Sequence, residues 1–299
     1  MKTLFIDCND QLAPVWDMVL HPGDPPIDVN RAAFAREQLP RLLDGYSIAL
    51  DDHSYMPTEL VKQCKALKHI VFLGTGAASY MNIDELKSHG IHVHTIKGYG
   101  DTAVAEHTIA LMLAAARDIA RMDREVRGGT WTPQEGVQLH GKTLGVIGLG
   151  GIGREVAHIG KGIGMHVIGW NRTRRPGVTF AELDALLQQA DVVSINLSLN
   201  DHTRGFLSAE RITRMKPGAI LINTARGALV DEAALIAALE SGHIRHAGLD
   251  VFHEEPLKPD HPLAKLPNVT LTSHAAFRTL EASMTLLRRA IDIVKKIAR

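Results

Sequence analysis

The sequence predicts an α/β chain of two doubly wound parallel-sheet lobes. Two observations predict it. Short apolar runs alternate with helical patterns twice, once over the first hundred residues and again from residue 143 onward. The chain has 299 residues, 45% of them hydrophobic and 22% charged, a globular composition at a length where one core gives way to two.

In the first run the strand candidates are Thr3–Asp7, Tyr46–Leu50, His69–Leu73 and Ile91–Ile96. Each is short, apolar and followed by polar or glycine residues. Helical patterns lie between them at Arg31–Gln38 and Ile83–His89, the second ended by Gly90. A long helix is expected from Val104 to Val126, with Ile109, Met112, Leu113, Ala116 and Ile119 on one face. Gly128-Gly129-Thr130-Trp131-Thr132-Pro133 ends it. The second run has strands Thr143–Ile147, His166–Trp170, Val192–Leu197, Ala219–Asn223, Ala247–Val251 and Val269–Thr272. A helix to about Lys161 follows the first of these. Another, Glu232–Ser241, is opened by Asp231 and closed by Gly242. Leu280–Ala298 reads as a final helix with Met284, Leu287, Ile291 and Val294 on a stripe. No short-period repeat or low-complexity tract interrupts these runs.

Composition excludes several classes of partner. Lys+Arg and Asp+Glu both count 33, so nothing in the whole-chain charge draws nucleic acid or an anionic membrane. Two cysteines, Cys8 and Cys64, imply no disulfide framework and fit a reduced, cytoplasmic setting. The apolar run at the N-terminus ends at Asp7, so it reads as a strand rather than a signal peptide. No stretch nears the ~18 apolar residues of a membrane helix. Among 16 histidines none sits in a convincing metal pattern; His92 and His94 alternate on one strand and read as surface residues, so no metal is expected.

Chemistry begins at Gly148-Leu149-Gly150-Gly151-Ile152-Gly153, a G-x-G-x-x-G between a strand and a helical stretch. The motif alone is weak, since a packing turn can carry it. In this context Gly148 permits the tight turn, Gly150 lets backbone approach a pyrophosphate, and Gly153 lets helix and strand pack closely. The free N–H groups and positive dipole at the helix start hold phosphates. A dinucleotide site is expected. The next strand ends in Asn171-Arg172-Thr173-Arg174-Arg175. A site for NAD usually carries Asp or Glu here, to bind the ribose 2′-hydroxyl. Asn171 has no charge to repel a 2′-phosphate, and guanidinium groups bind one, so NADP(H) is expected over NAD(H). The ordinary alternative is a solvated basic turn.

Three later segments place polar residues beyond the carboxyl ends of apolar strands, the edge where such sheets bind ligands. They are Asn223–Gly227, Gly248–Pro256 and Leu271–Ala276. Reduction of a ketone needs the carbonyl polarised, a proton delivered and the acid oriented. His274 suits acid–base work, since histidine titrates near neutrality. A carboxylate beside it fixes its tautomer and favours the protonated ring. Arg226 suits the grip on a substrate carboxylate and its carbonyl. Singly, each has a plainer reading: a structural ion pair, a surface turn, a satisfied histidine. Chemistry does not choose between Glu254 and Glu255.

The ordered set GLGGIG (148–153), NTARGALVDE (223–232), GLDVFHEEP (248–256) and TSHAA (272–276) resembles the D-2-hydroxyacid dehydrogenase family, from about Gly74 to His274. The resemblance implies a Rossmann cofactor domain, residues 99–279, inserted in a flavodoxin-like substrate domain, residues 1–98 plus 280–299. Hinges would lie near 98–100 and 276–279. It implies hydride transfer between NADP(H) and a small 2-keto or 2-hydroxy acid of the glyoxylate or hydroxypyruvate type. It implies an Arg–Glu–His set on Arg226, Glu255 and His274, the glutamate being the one before the proline. It puts Asp250 near the nicotinamide amide, and Thr224, Ala225, Leu197 and Ser198 along the cofactor. Gly74-Thr75-Gly76 resembles the loop whose amides, here those of Thr75 and Gly76, bind the substrate carboxylate alongside Arg226 and His274. Glu106-His107 lies where the family's helix faces the site, with a structural role as open as a functional one. The long helix and the arm from Gly128 to His140 resemble a dimer element, so a homodimer is expected. No further regulatory domain is expected. Asn196-Leu197-Ser198-Leu199 departs from the family's frequent His-x-Pro-Leu. A dinucleotide-sensing regulator of the same fold is the alternative, and a phosphite or formate dehydrogenase a third.

Overall fold

The computed structural model describes residues 1–298. The chain divides into two compact units, residues 1–100 with 278–299, and residues 101–277.

The first unit is a five-stranded sheet. Its strands are β1 (Thr3–Phe5), β2 (Asp28–Val29), β3 (Ile48–Asp51), β4 (His69–Phe72) and β5 (His92–Thr95). They run in the order β2-β1-β3-β4-β5, all parallel. This is the flavodoxin-like doubly wound order. Strands buried on both faces explain the unbroken apolar runs. Phe5, Leu50, Val71 and Leu73 turn to one side, under the helices Ala13–Val19 and Leu280–Ile297. Leu4, Ala49, Ile70 and Phe72 turn to the other. The stripe Leu287, Ile291 and Val294 is buried on the first side, so the last helix returns to the unit the chain began.

The second unit is a seven-stranded parallel sheet. Its strands are β6 (Thr143–Ile147), β7 (His166–Trp170), β8 (Thr179–Phe180), β9 (Val192–Ile195), β10 (Ala219–Asn223), β11 (Ile244–Leu249) and β12 (Val269–Leu271). The order is β12-β11-β10-β9-β6-β7-β8, the Rossmann order carrying one further strand. Sequence order reverses between β6 and β9, which makes their carboxyl ends the switch point. One face packs on the helices Asp101–Ala116 and Gly151–Gly162, the other on Leu183–Gln189, Ala209–Arg214 and Glu232–Glu240.

The structure corrects two helix boundaries. Arg31–Gln38 is not a helix. The Asn30 side chain bonds Ile6 O, Ala32 O and Ala32 N, an Asx turn that competes with helical bonding. Only a 3-10 turn at Arg36–Gln38 and a short helix Leu39–Leu42, with Pro40 in its first turn, come after it. The long helix breaks into Asp101–Ala116 and Ile119–Arg127. Asp118 takes φ +51, a left-handed conformation that Asp tolerates, and its carboxylate lies 3.2 Å from Nδ1 of buried His246. The expected stripe therefore fails past the break: Ile109, Met112 and Ala116 are buried, whereas Leu113 and Ile119 are exposed. The elements β2 and β8, with two residues each, and the helix Ala13–Val19 have no readable sequence pattern.

Among the described residues no helix is long and apolar enough to cross a membrane. Both cysteines are buried free thiols, and burial pushes each up to about 11. His69, His92 and His94 gather on one face of β4 and β5, with His69 Nδ1 3.2 Å from His94 Nε2.

Arg288 ties the last helix to the first unit. Its guanidinium grips Asp24 through Nη1 at 2.6 Å and Nη2 at 2.8 Å, and also reaches Val19 O. That hydrogen-bonded pair holds the Asp24 carboxyl well below the usual carboxylate range. A depressed folded-state pKa stabilises the fold above the unfolded value and loses that contribution as pH falls through the folded one. Arg288→Ala should therefore lower stability at pH 7 by about 2 kcal/mol, by urea unfolding. The deficit should shrink in strong acid, once wild-type Asp24 is itself protonated.

Candidate active site

The glycine loop joins β6 to the helix Gly151–Gly162, at the switch point. Gly148 has φ +93, and a Cβ there would meet Asn196 O at 2.5 Å, so only glycine lets the ends of β6 and β9 close up. A Cβ on Gly153 would run into Gly148 O. A Cβ on Gly150 would enter open space, with nothing within 4 Å of it. The helix begins there and leaves the first-turn amides of Gly151, Ile152 and Gly153 without helical acceptors. An open glycine before unpaired amides at the positive end of a dipole fits a pyrophosphate.

Asn171 follows β7. Its Oδ1 accepts from Leu149 N at 3.0 Å and its Nδ2 donates to Thr173 O at 2.8 Å. The amide braces the glycine loop from the next strand, and its second bond is one an ionised Asp could not donate. Arg174 stacks on Phe180, 4.3 Å from the ring centroid, with Glu182 at 3.7 Å. Arg172, Thr173 and Arg175 are exposed. Leu197 packs on the glycine loop and Ser198 is exposed. Among the described residues Asn196 Oδ1 is a buried acceptor with no hydrogen-bond partner.

The three strand-end segments converge within the second unit. After β10, Asn223 caps its own turn: Oδ1 accepts from Ala225 N and Nδ2 donates to Arg226 O. Thr224 is buried and its hydroxyl meets Thr108 Oγ1 at 2.8 Å. Arg226 Nη1 donates to Ala225 O at 2.7 Å. A Cβ on Gly227 would strike the backbone of Phe252, so this loop lies directly on the one after β11. There Glu255 Oε1 accepts from Phe252 N at 2.9 Å, and Oε2 lies 2.7 Å from His274 Nδ1. Burial pushes the Glu255 carboxyl up. The His274 and Phe252 bonds and the charge of Arg226 outweigh it and hold the group below its usual value. Glu255, not Glu254, meets the histidine; Glu254 pairs with Lys258 at the surface.

His274 has φ +51. A non-glycine residue held there marks a loop whose surroundings over-determine it. Asp250 supplies that constraint. Its carbonyl accepts from His274 N at 2.8 Å, its Oδ1 from Ala275 N at 2.9 Å and its Oδ2 from Ala276 N at 3.0 Å. Asp250 has no exposed surface, and both of its carboxylate oxygens accept from this loop. Burial pushes its carboxyl up, but bonds from His107, Thr272, Ala275 and Ala276 prevail and hold it below the usual range. Sequence reasoning does not find the bonds of the Thr272 hydroxyl, the stacking on Phe180 or the close approach at Gly227. A hydroxyl, a ring and a missing side chain carry no motif of their own.

In the first unit, Gly74-Thr75-Gly76 follows β4 and leads into a 3-10 turn, Ala77–Ser79. Among the described residues the amides of Thr75 and Gly76 donate to no protein acceptor.

A family model for the D-isomer specific 2-hydroxyacid dehydrogenase, NAD binding domain, matches residues 109–276. The chain belongs to the D-isomer specific 2-hydroxyacid dehydrogenase family. Within it, the glyoxylate reductase of Aeropyrum pernix is 41% identical over 251 residues, which cover 78% of this chain and 74% of that one. The D-3-phosphoglycerate dehydrogenase of Archaeoglobus fulgidus is 38% identical over 263 residues, 85% of this chain, which spans 50% of that protein's length. An acyclic imino acid reductase solved in complex with NADPH and D-Arg shares 28% identity at a TM-score of 0.86, covering 100% of this chain and 97% of that one.

The two glycines separate folding from cofactor binding in this family's glycine loop. Gly148→Ala should lower the thermal midpoint, because the residue must hold φ +93 against Asn196. Gly150→Val should leave the midpoint near wild type, since the side chain enters open space, yet weaken dinucleotide binding measured by fluorescence titration.

Proposed function

We propose that the chain transfers hydride between NADP(H) and a small 2-keto or 2-hydroxy acid of the glyoxylate or hydroxypyruvate type. The observation that carries this is the 2.7 Å contact between His274 Nδ1 and Glu255 Oε2, at a strand end whose neighbouring loop holds Arg226. With Nδ1–H given to Glu255, Nε2 is the nitrogen left to serve the substrate. His274, oriented by its bond to Glu255, gives a proton from Nε2 to the carbonyl oxygen during reduction and takes it back during oxidation. One N–H of Arg226 is spent on Ala225 O, and the others grip the substrate carboxylate and polarise the carbonyl. When bound, the reduced nicotinamide supplies the hydride.

The residues suit the dinucleotide. Gly150 to Gly153 hold its pyrophosphate, and Leu197, Ser198, Thr224 and Ala225 line the same carboxyl edge. The choice of NADP(H) over NAD(H) rests on charge. Asn171 brings no carboxylate to the ribose, and Arg172 and Arg175 are exposed beside it, while Arg174 is already stacked on Phe180. The imino acid reductase relative was solved with NADPH. A homodimer through the 101–140 segment is supported by apolar side chains exposed along it, Leu113, Ile119, Val126 and Trp131. The buried free thiols suit a cytoplasmic setting.

A panel of glyoxylate, hydroxypyruvate, pyruvate and longer 2-keto acids, followed by NADPH oxidation, tests the reading. Turnover of none, with tight cofactor binding, would favour a dinucleotide-sensing regulator. His274→Ala should lower kcat by ~10²–10⁴-fold while NADPH still binds; unchanged turnover would refute its role. Arg226→Ala should raise KM and lower kcat together. kcat/KM should favour NADPH over NADH by about tenfold or more, and a preference for NADH would remove the charge argument.

A further inference from the structure

Behind the His274 loop lies a chain of polar groups that the chemistry above does not use. His107, on the helix Asp101–Ala116, places Nε2 3.0 Å from Thr272 Oγ1. Thr272 Oγ1 donates to Asp250 Oδ1 at 2.6 Å. His107 Nε2 stands 3.6 Å from that same oxygen. A hydroxyl has one proton, and Thr272 gives its own to the carboxylate. The ring must then donate to the hydroxyl. The direction of the chain is fixed, from His107 Nε2–H to Thr272 to Asp250.

The helix that carries His107 is otherwise buried through Val104, Ala105, Ile109, Leu111, Met112 and Ala115. A ring that served packing alone would need no directed contact. Here the contact ends on the carboxylate that receives two consecutive amides of the His274 loop, 275 and 276. Without Thr272 and His107, Oδ1 keeps only Ala275 N and Oδ2 only Ala276 N, so the carboxylate is held on one side alone and less tightly about its Cβ–Cγ bond. Its hold on the loop that carries His274 at φ +51 then slackens.

We propose that His107 and Thr272 are positioning residues, which orient the Asp250 carboxylate so that His274 is presented in one geometry to the substrate. The proposal rests on the reading of His274 as the acid–base residue. It places the effect of these side chains on turnover, because a misplacement near 1 Å can cost about a hundredfold in rate while leaving remote binding contacts intact.

The test uses the whole protein as Thr272→Val, His107→Phe, His107→Gln and His274→Ala. Each is measured for kcat and KM with the best keto acid of the panel, for NADPH Kd by fluorescence, and for thermal midpoint. Thr272→Val keeps the shape of the side chain and deletes the hydroxyl. Thr272→Val and His107→Phe should each lower kcat about tenfold to a hundredfold, with NADPH Kd little changed. His107→Gln, which keeps an N–H within reach of Thr272, should recover most of the loss. Wild-type kcat in Thr272→Val and His107→Phe, beside an inactive His274→Ala, would overturn the positioning role and leave the acid–base reading standing. A glutamine variant as slow as the phenylalanine one would overturn it too, by showing that bulk alone matters. An active His274→Ala would bring down the reading itself. Should His107→Phe fail to fold, Thr272→Val still decides the matter.

Discussion

A carboxylate with no exposed surface is tolerated only as an acid or with its oxygens fully engaged. Asp250 takes the second course, and the geometry of the active site depends on it. Thr272 donates to it at 2.6 Å with the His107 ring behind that hydroxyl, and main-chain donors come from Ala275 and Ala276. Its own carbonyl receives His274 N. One residue at the end of β11 thereby fixes the loop after β12. The left-handed backbone of His274 costs free energy that a loose turn would release. The network supplies the bonds that keep it, and the imidazole stays 2.7 Å from Glu255.

The parallel sheet explains why these groups meet. All its strands point the same way, so the loops after β6, β9, β10, β11 and β12 emerge on one edge. Two glycines then set how closely the emerging loops approach. Gly148 lets the loop after β6 lie on Asn196, and Gly227 lets the Arg226 loop lie on Phe252. A methyl group at either position would push apart loops that have to cooperate. The glycines that carry no chemistry thus decide whether the charged residues act together.

Much of this is legible in the sequence, and the limits have physical reasons. β6, β7 and β10 are legible to the residue because buried strands of a parallel sheet are continuous apolar runs between polar turns. Arg226, Glu255 and His274 are legible because polar residues beyond such runs stand out. The choice of Glu255 over Glu254 comes from family resemblance rather than chemistry, and the bond to His274 gives it a geometric reason. The break at Asp118 is hidden, because the apolar pattern runs on through Ile119 while the contact that turns the chain is with His246, far away in sequence. The Asn30 turn defeats the helix at Arg31–Gln38 in the same way, since a side chain takes the backbone groups that periodicity assigns to a helix. The bonds of the Asp250 carboxylate to Ala275 N and Ala276 N are not legible, because the receiving amides carry no side-chain signal.

The same distinction between facing a ligand and supporting the residues that do applies at Asn171. Both ends of its amide are taken by Leu149 N and Thr173 O, so its first task is to hold the glycine loop against the end of β7. An aspartate could accept the same Leu149 amide, but it would put a negative charge at this turn and lose the donor to Thr173 O. The asparagine therefore preserves the brace while removing the charge. Arg174 is drawn onto Phe180 and toward Glu182, which leaves Arg172 and Arg175 as the exposed cations of the turn. Selectivity against a ribose without a phosphate would then come from the free energy these two guanidinium groups gain on meeting a dianion. That gain would be a charge-assisted contact at an exposed turn, so added salt should screen it, whereas a backbone cradle at Gly150 to Gly153 would not tell the two dinucleotides apart.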